Sequence, residues 1–232
     1  CKRQGARVLF VTVEKLQDAP WPWDAIDEVY YVPDFKNRED VLNSISYLAR
    51  SEPIDRIVPL DEFDLETAAV LREHMRVPGM GQTTVRYFRD KLAMRMKARE
   101  AGVRVPDFVS LFHRDDIHAF MDRCSPPWIL KPRNEASAIG IQKIYERDEL
   151  WRQLDALGDR QSHFLLEEFV PGQVYHVDAL VSDGSVAFAD AHGYVTPPFD
   201  VMHSGGIFAS RTLDRSSHEA QTCRALNESL IE

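Results

Sequence analysis

The chain has 232 residues, is 44% hydrophobic and carries a formal charge of −9, a balance that suits one large domain or two small ones with real cores. Its acidity, with no clustered basic tract, argues against a nucleic-acid partner, which needs a concentrated positive face. No apolar run reaches about 18 residues and no basic segment followed by an apolar one opens the chain, so neither a membrane span nor a secretory leader is expected. Cys1, Cys124 and Cys223 are far apart and in no metal-ligand spacing; the expectation is reduced thiols in a cytoplasmic protein, with no zinc and no disulfide.

In chain order, Lys2-Arg3-Gln4-Gly5 reads as the last turn of a helix with its glycine stop, which implies that something precedes residue 1. Strand-like runs follow at Val8 to Val13, Glu28 to Val32 and Arg56 to Pro59, with helix-like segments at Arg38 to Arg50 and Asp64 to His74. Strands alternating with helices predict a mostly parallel sheet. Val41, Leu42, Ile45, Leu48 and Ala49 make one apolar stripe that packs a helix on that sheet. The turn with Pro20, Trp21, Pro22 and Trp23 reads as packing. The acidic cluster Asp61-Glu62-Phe63-Asp64 lies beyond a strand end, where ligands bind in open α/β sheets, and Asp61 or Asp64 serves equally well as a helix cap.

Val77-Pro78-Gly79-Met80-Gly81 punctuates the chain as a linker. A helix from Thr84 to Ala101, stopped by Gly102, a strand at Phe108 to Leu111 and a helix at His113 to Cys124 lead to a hairpin. Its strands, Trp128 to Leu130 and Ile139 to Ile144, bracket the small and polar residues Arg133 to Gly140. Lys131, at the end of the first strand, beside a loop of small residues, suggests anion binding, because a fixed positive charge and backbone N–H groups can close on phosphate oxygens. Glu146 to Leu157 is a further helix and Phe164 to Val170 a strand that turns at Pro171-Gly172. The next strand alternates Tyr175, Val177, Ala179 and Val181 with His176, Asp178 and Leu180, and Asp183-Gly184 is a type I′ hairpin signal into Val186 to Ala189. His192-Gly193-Tyr194 and His203-Ser204-Gly205-Gly206 bracket a loop, Ile207 to Arg211 is a strand, and Ser217 to Glu232 a helix.

Four of these stretches stand in a specific order: Asp90-Lys91 opening a helix that ends in Gly102-Val103-Arg104-Val105-Pro106, an apolar run ending Lys131-Pro132, Leu166-Glu167-Glu168-Phe169-Val170 before Gly172, and a strand bearing Asp178. Together they cover roughly residues 90 to 185, and on them the sequence resembles the ATP-grasp ligases. The resemblance implies an α/β chain with a mostly parallel pre-ATP-grasp domain at 1–83, a linker helix and small α+β lobe with a phosphate flap at 84–166, and the start of the large lobe at 167–232, the C-terminal part being absent. It also implies a carboxylate–amine ligase or a biotin-carboxylase-like enzyme.

The resemblance sets Lys91 and Lys131 on the nucleotide phosphates and the loop with Ser137 and Gly140 over them. It sets Glu167, Glu168, Phe169 and Val170 around the adenine, and His176 and Asp178 near the ribose hydroxyls. From composition alone Lys91 is one charge on a solvated helix, and Glu167 and Glu168 are outward residues of a strand end. The loop departs from the family pattern in having Gly140 as its one glycine. Glu62 matches a common acidic position without being catalytic. Arg211 is the candidate ligand for a transferred phosphate or substrate carboxylate, against a surface ion pair. ATP and Mg²⁺ are implied, but no metal ligands are assigned, Glu228 and Glu232 being ordinary helix-face carboxylates. The expected activity is ATP-dependent activation of a small carboxylate, such as an amino acid, to an acylphosphate attacked by an amine. The alternatives are bicarbonate activation as in biotin carboxylase or carbamoyl-phosphate synthetase, or a nucleotide-binding module without turnover. The expected partners are ATP and the carboxylate and amine substrates, in a homodimer, with no nucleic acid and no membrane.

Overall fold

The two β-branched runs nearest the start form strands β1 (Leu9–Val13) and β2 (Glu28–Val32), paired in parallel with Leu9 opposite Glu28. The computed structural model describes residues 1–231, and the chain divides into two compact units, Cys1–Arg89 and Asp90 onward. In the first unit, helix α1 (Arg38–Leu48) begins at Asn37, whose side chain accepts a bond from the Asp40 amide. Val41 and Ile45 on its apolar stripe pack with Leu71 of helix α2 (Leu65–Met75) and with Val11, Ile54 and Ile57.

Several details differ from the sequence expectation. Residues 56–59 do not join the sheet: the Ile57 carbonyl is met instead by the Arg72 side chain, at 2.9 Å from Nε, so a guanidinium supplies the donor that a ladder would have. The opening Lys2–Gln4 turn is 3₁₀, closed by Gly5 at φ +80°. Asp61 caps through a bond from the Phe63 amide at 2.8 Å, whereas Asp64 makes no side-chain cap. Glu62 pairs with the buried Arg89. Trp21 packs edge-on against Phe10, with ring centroids 4.8 Å apart, as the packing reading requires.

The helix expected over 84–101 is two helices, α3 (Gln82–Arg89) and α4 (Lys91–Glu100). The break is Asp90. Its backbone is extended, and its carboxylate accepts from the Leu92 amide at 3.0 Å and the Ala93 amide at 3.4 Å, which is N-cap geometry. Lys91 is thereby the first residue of α4, which corrects the single helix over 84–101 and agrees with an Asp-Lys pair that opens a helix.

After α4 the second unit continues with β3 (Phe108–Ser110), helix α5 (Arg114–Arg123), β4 (Trp128–Pro132), β5 (Gln142–Ile144), helix α6 (Arg147–Leu157) and β6 (Phe164–Glu168). The four strands form an antiparallel sheet in the order β3-β6-β4-β5. Phe120, Trp128, Leu130, Ile144, Leu150 and Leu166 are fully buried in the core that α5 and α6 make with this sheet, each contributing roughly 1.5–3 kcal/mol. The Trp128 indole N–H is satisfied by the Cys124 carbonyl at 2.9 Å.

A second antiparallel sheet joins β7 (Tyr175–Ser182), β8 (Ser185–Tyr194) and β9 (Ser210–Thr212). Asp183 and Gly184 both have positive φ, +51° and +76°, as a type I′ turn demands. Two corrections fall here. The proline loop is a short helix, α7 (Pro198–Ser204), with proline at its first turn, and the following strand is 210–212 and not 207–211. Helix α8 (His218–Ile231) closes the described residues, so Glu232 lies outside them.

Candidate functional site

Lys131 is the fourth residue of β4, a strand whose first four side chains are all buried. A lysine there loses several kcal/mol of hydration, so the fold must supply a counter-charge. It is Glu167 on the neighbouring strand β6: the Lys131 ammonium bonds Glu167 Oε1, and Arg95 Nε approaches Oε2 at 3.2 Å. Burial pushes the Lys131 ammonium below the ordinary lysine range. Glu167 pulls it back, and the positive charges of Arg95 and Lys91 push it down again. Two cations thus share one carboxylate, and they outnumber it. An added anion beside Lys131 would be favoured by the surplus.

A second bracket fixes Lys91. Its amide donates to the Arg133 carbonyl at 2.9 Å, and its ammonium reaches the Glu135 carbonyl, at the start of the loop between β4 and β5. Arg133 in turn pairs with Asp90, with Nε 2.9 Å from Oδ1, and donates to the Ser162 carbonyl at 3.0 Å. Burial raises the Asp90 carboxyl, but the Arg133 bond and charge and the two cap amides outweigh it, leaving the group below the usual carboxylate range. Asp90 thereby ties the start of α4 to the end of β4.

The loop itself holds Ser137 at φ +54° and Ala138 at φ +60°, left-handed conformations that cost non-glycine residues of order 1 kcal/mol each. Gly140, at φ +71°, lies against the Pro132 ring, and a Cβ added there would sit 2.9 Å from Cγ.

Where β6 ends, the Glu168 amide donates to the Asp107 carbonyl at 2.8 Å and the Phe169 amide to the Pro127 carbonyl at 3.3 Å. Lys143 of β5 sits 3.6 Å above the Phe169 ring, close enough for a cation–π contact. Glu167 is buried, Glu168 exposed, and Val170 58% exposed. Glu167 is therefore not an outward strand-end residue.

Of the remaining sequence candidates, His176 and Asp178 lie on β7 and meet His192 of β8. Arg211 lies exposed on β9 opposite Gly193. Sequence reasoning missed Arg95, Arg133, Lys143 and His192. Arg95 was findable, standing one helical turn after Lys91 on the same face. His192 was not findable from the Asp183-Gly184 turn: a plain two-residue hairpin sets Ala191 opposite His176, and the bulge between Leu180 and Val181 moves the register by one residue.

No family model matches the chain. It is 28% identical over 177 residues to the L-arginine-specific L-amino acid ligase of Bacillus subtilis, covering 74% of this chain and 43% of that protein. It is 30% identical over 135 residues to the D-alanine–D-alanine ligase of Chlorobaculum parvum, covering 55% of this chain and 34% of that one. The chain spans less than half the length of these curated relatives. Among solved structures it superposes on the L-amino acid ligase of Bacillus licheniformis with TM-score 0.73, at 21% identity, over 99% of this chain and 54% of that one. The D-alanine–D-alanine ligase of Bacillus anthracis complexed with ATP gives TM-score 0.62 at 16% identity, over 97% and 76% of the two chains.

Proposed function

We propose that this chain, whose fold is that of the ATP-grasp ligases, belongs to an enzyme that uses ATP to join the carboxylate of one amino acid to the amine of another. The observation that carries the proposal is the pairing of Lys131 and Arg95 with the single carboxylate of Glu167, with the charge of Lys91 felt at Lys131, a local cationic surplus suited to polyphosphate. Similarity to L-amino acid and D-alanine–D-alanine ligases supports the substrate class.

In this proposal Lys131 and Lys91 bind the phosphates from two sides, and the loop carrying Ser137 and Gly140 covers them. The slot beside Phe169 and Val170 takes the purine. Because the Glu168 and Phe169 amides are tied to Asp107 and Pro127, the amide donor for the purine edge falls to Val170. The substrate carboxylate oxygen attacks the γ-phosphorus, ADP leaves, and the acylphosphate carbon is then attacked by the amine with loss of inorganic phosphate. The cationic side chains neutralise charge on the transferred group, which is where most of the catalytic stabilisation in such reactions lies. Arg211 is the proposed ligand for the transferred phosphate or a substrate carboxylate, by its bidentate fork. Mg²⁺ takes hard oxygen ligands and several waters, and the described residues gather no all-carboxylate cluster of that kind.

The test is ADP formation by the whole protein against a panel of amino acids, singly and in pairs, with the product identified by mass. Pair-dependent ADP release with a product lighter by one water than the summed amino acids is expected. Bicarbonate-dependent release would move the assignment to the carboxylase alternative, and nucleotide binding without any ADP formation to the non-catalytic one.

A further inference from the structure

We infer that His176, Asp178 and His192 form a site for a borderline divalent cation of the Zn²⁺ class, with one coordination position open. His176 and His192 are register partners across β7 and β8, and Asp178 is two residues along β7, so all three side chains stand on one face of the hairpin. One donor atom from each lies within 4.8 Å of the other two. The imidazole rings stack, with centroids 4.9 Å apart and planes 16° from parallel. Both Nε2 atoms face Asp178 Oδ2, at 3.4 Å for His192 and 3.8 Å for His176.

Those distances are informative. They exceed the 2.7–3.2 Å of an N–H···O hydrogen bond, yet they are near the spacing of about 3.4 Å that bonds of about 2.1 Å impose on the donors of a tetrahedral ion. The far nitrogens point the same way. His192 Nδ1 is 3.1 Å from the Thr212 hydroxyl; with Nδ1–H donating there, the lone pair stays on Nε2, the outer bond that orients a metal-binding imidazole. His176 Nδ1 is buried without a hydrogen-bond partner, so no bond through that atom dictates the ring's role.

Two imidazoles and a carboxylate favour Zn²⁺, Co²⁺ or Ni²⁺ over Mg²⁺, which prefers oxygen alone. Three protein ligands leave a fourth position, and the Asp178 side chain is 75% exposed, so water or the carboxylate of a small acid can enter it. The resemblance to ATP-grasp ligases sets His176 and Asp178 beside a ribose; the cation site is a separate use of them and does not rest on the nucleotide assignment, whose lysines stand on other elements.

The experiment titrates the metal-free chain with Co²⁺, following visible ligand-field absorption, and then displaces Co²⁺ with Zn²⁺ by calorimetry. One saturable equivalent is expected. His176→Gln, His192→Gln and Asp178→Asn should each weaken it by at least about tenfold, and the positioning variant Thr212→Val by about tenfold, while His203→Gln leaves it unchanged. Circular dichroism of the exposed-site variant Asp178→Asn guards against loss of fold. No saturable Co²⁺ binding by the unaltered chain, or binding that His176→Gln and His192→Gln leave intact, overturns the inference.

Discussion

On β4 a lysine only 7% exposed is held against a carboxylate shared by two cations, whereas on β7 a carboxylate with its side chain 75% exposed faces two imidazoles at more than hydrogen-bond distance. Both places gather ionisable groups, but they do so under different constraints. In the first, low dielectric makes each unpaired charge expensive, so partners are fixed before any ligand arrives. In the second, water screens the groups and they remain uncommitted. The contrast predicts that charge changes in the Lys131 centre shift stability, in a direction set by which partner is left behind, as well as binding, whereas mutations in the hairpin disturb binding alone.

The sharpest way to break that contrast is Glu167→Ala. It leaves Lys131 buried beside Arg95 with no counter-charge, and a cost of about 3–5 kcal/mol in urea denaturation is expected. Lys131→Met is the companion: it removes the buried charge with little change of volume, so stability should hold or rise while nucleotide affinity, read by calorimetry with ADP, is lost. A Glu167→Ala protein within about 1 kcal/mol of the parent would mean that water reaches the pair and that the two regions do not differ.

Asp90→Ala comes next, at about 3 kcal/mol, because it removes both the cap of α4 and the partner of Arg133. Its pH signature has a definite sign. The folded Asp90 carboxyl lies below its ordinary value, so its contribution is complete above about pH 4 and is lost as pH falls through the folded value. Asp90→Asn should therefore flatten the acid limb of the stability profile. An unchanged acid limb would remove the Arg133–Asp90 pair from the account.

How much of this was legible follows the same division. Strands β4, β6 and β7 were readable because apolar runs and alternation mark them, and the order of the Lys131, Glu167 and Asp178 stretches carried the resemblance. The ion pair between Lys131 and Glu167 was not readable, since it depends on β6 lying beside β4, a pairing between strands 36 residues apart. The helical pattern runs through Asp90 because Arg89 and Lys91 fit one continuous periodicity, whereas the resemblance opened a helix at Asp90-Lys91, and the N-cap at Asp90 agrees with it. Residues 56–59 show the converse: a strand-like run need not join a sheet when a side chain, here Arg72, meets its carbonyl.

Gly140→Ala probes the loop between these extremes. The new methyl would meet Pro132 Cγ at 2.9 Å, and φ is +71°, so a loss of about 1–2 kcal/mol is expected. If the loop closes on phosphate, the same change should also weaken ADP binding, whereas a purely structural role would alter the melting temperature and leave ADP affinity in the folded protein untouched.

The smallest effect is the most discriminating. Asp178→Asn keeps the shape of an exposed side chain whose carboxylate stands off from both imidazoles, so its effect on stability should stay within about 0.5 kcal/mol, measured in metal-free buffer. Adding Zn²⁺ should then raise the melting temperature of the parent and leave that of the variant where it was, because an ion that binds only the folded chain stabilises it by mass action. A stability loss in metal-free buffer comparable to that of Glu167→Ala would mean that the hairpin carboxylate is already committed to its neighbours, and the difference between a prepaired and an uncommitted cluster would vanish.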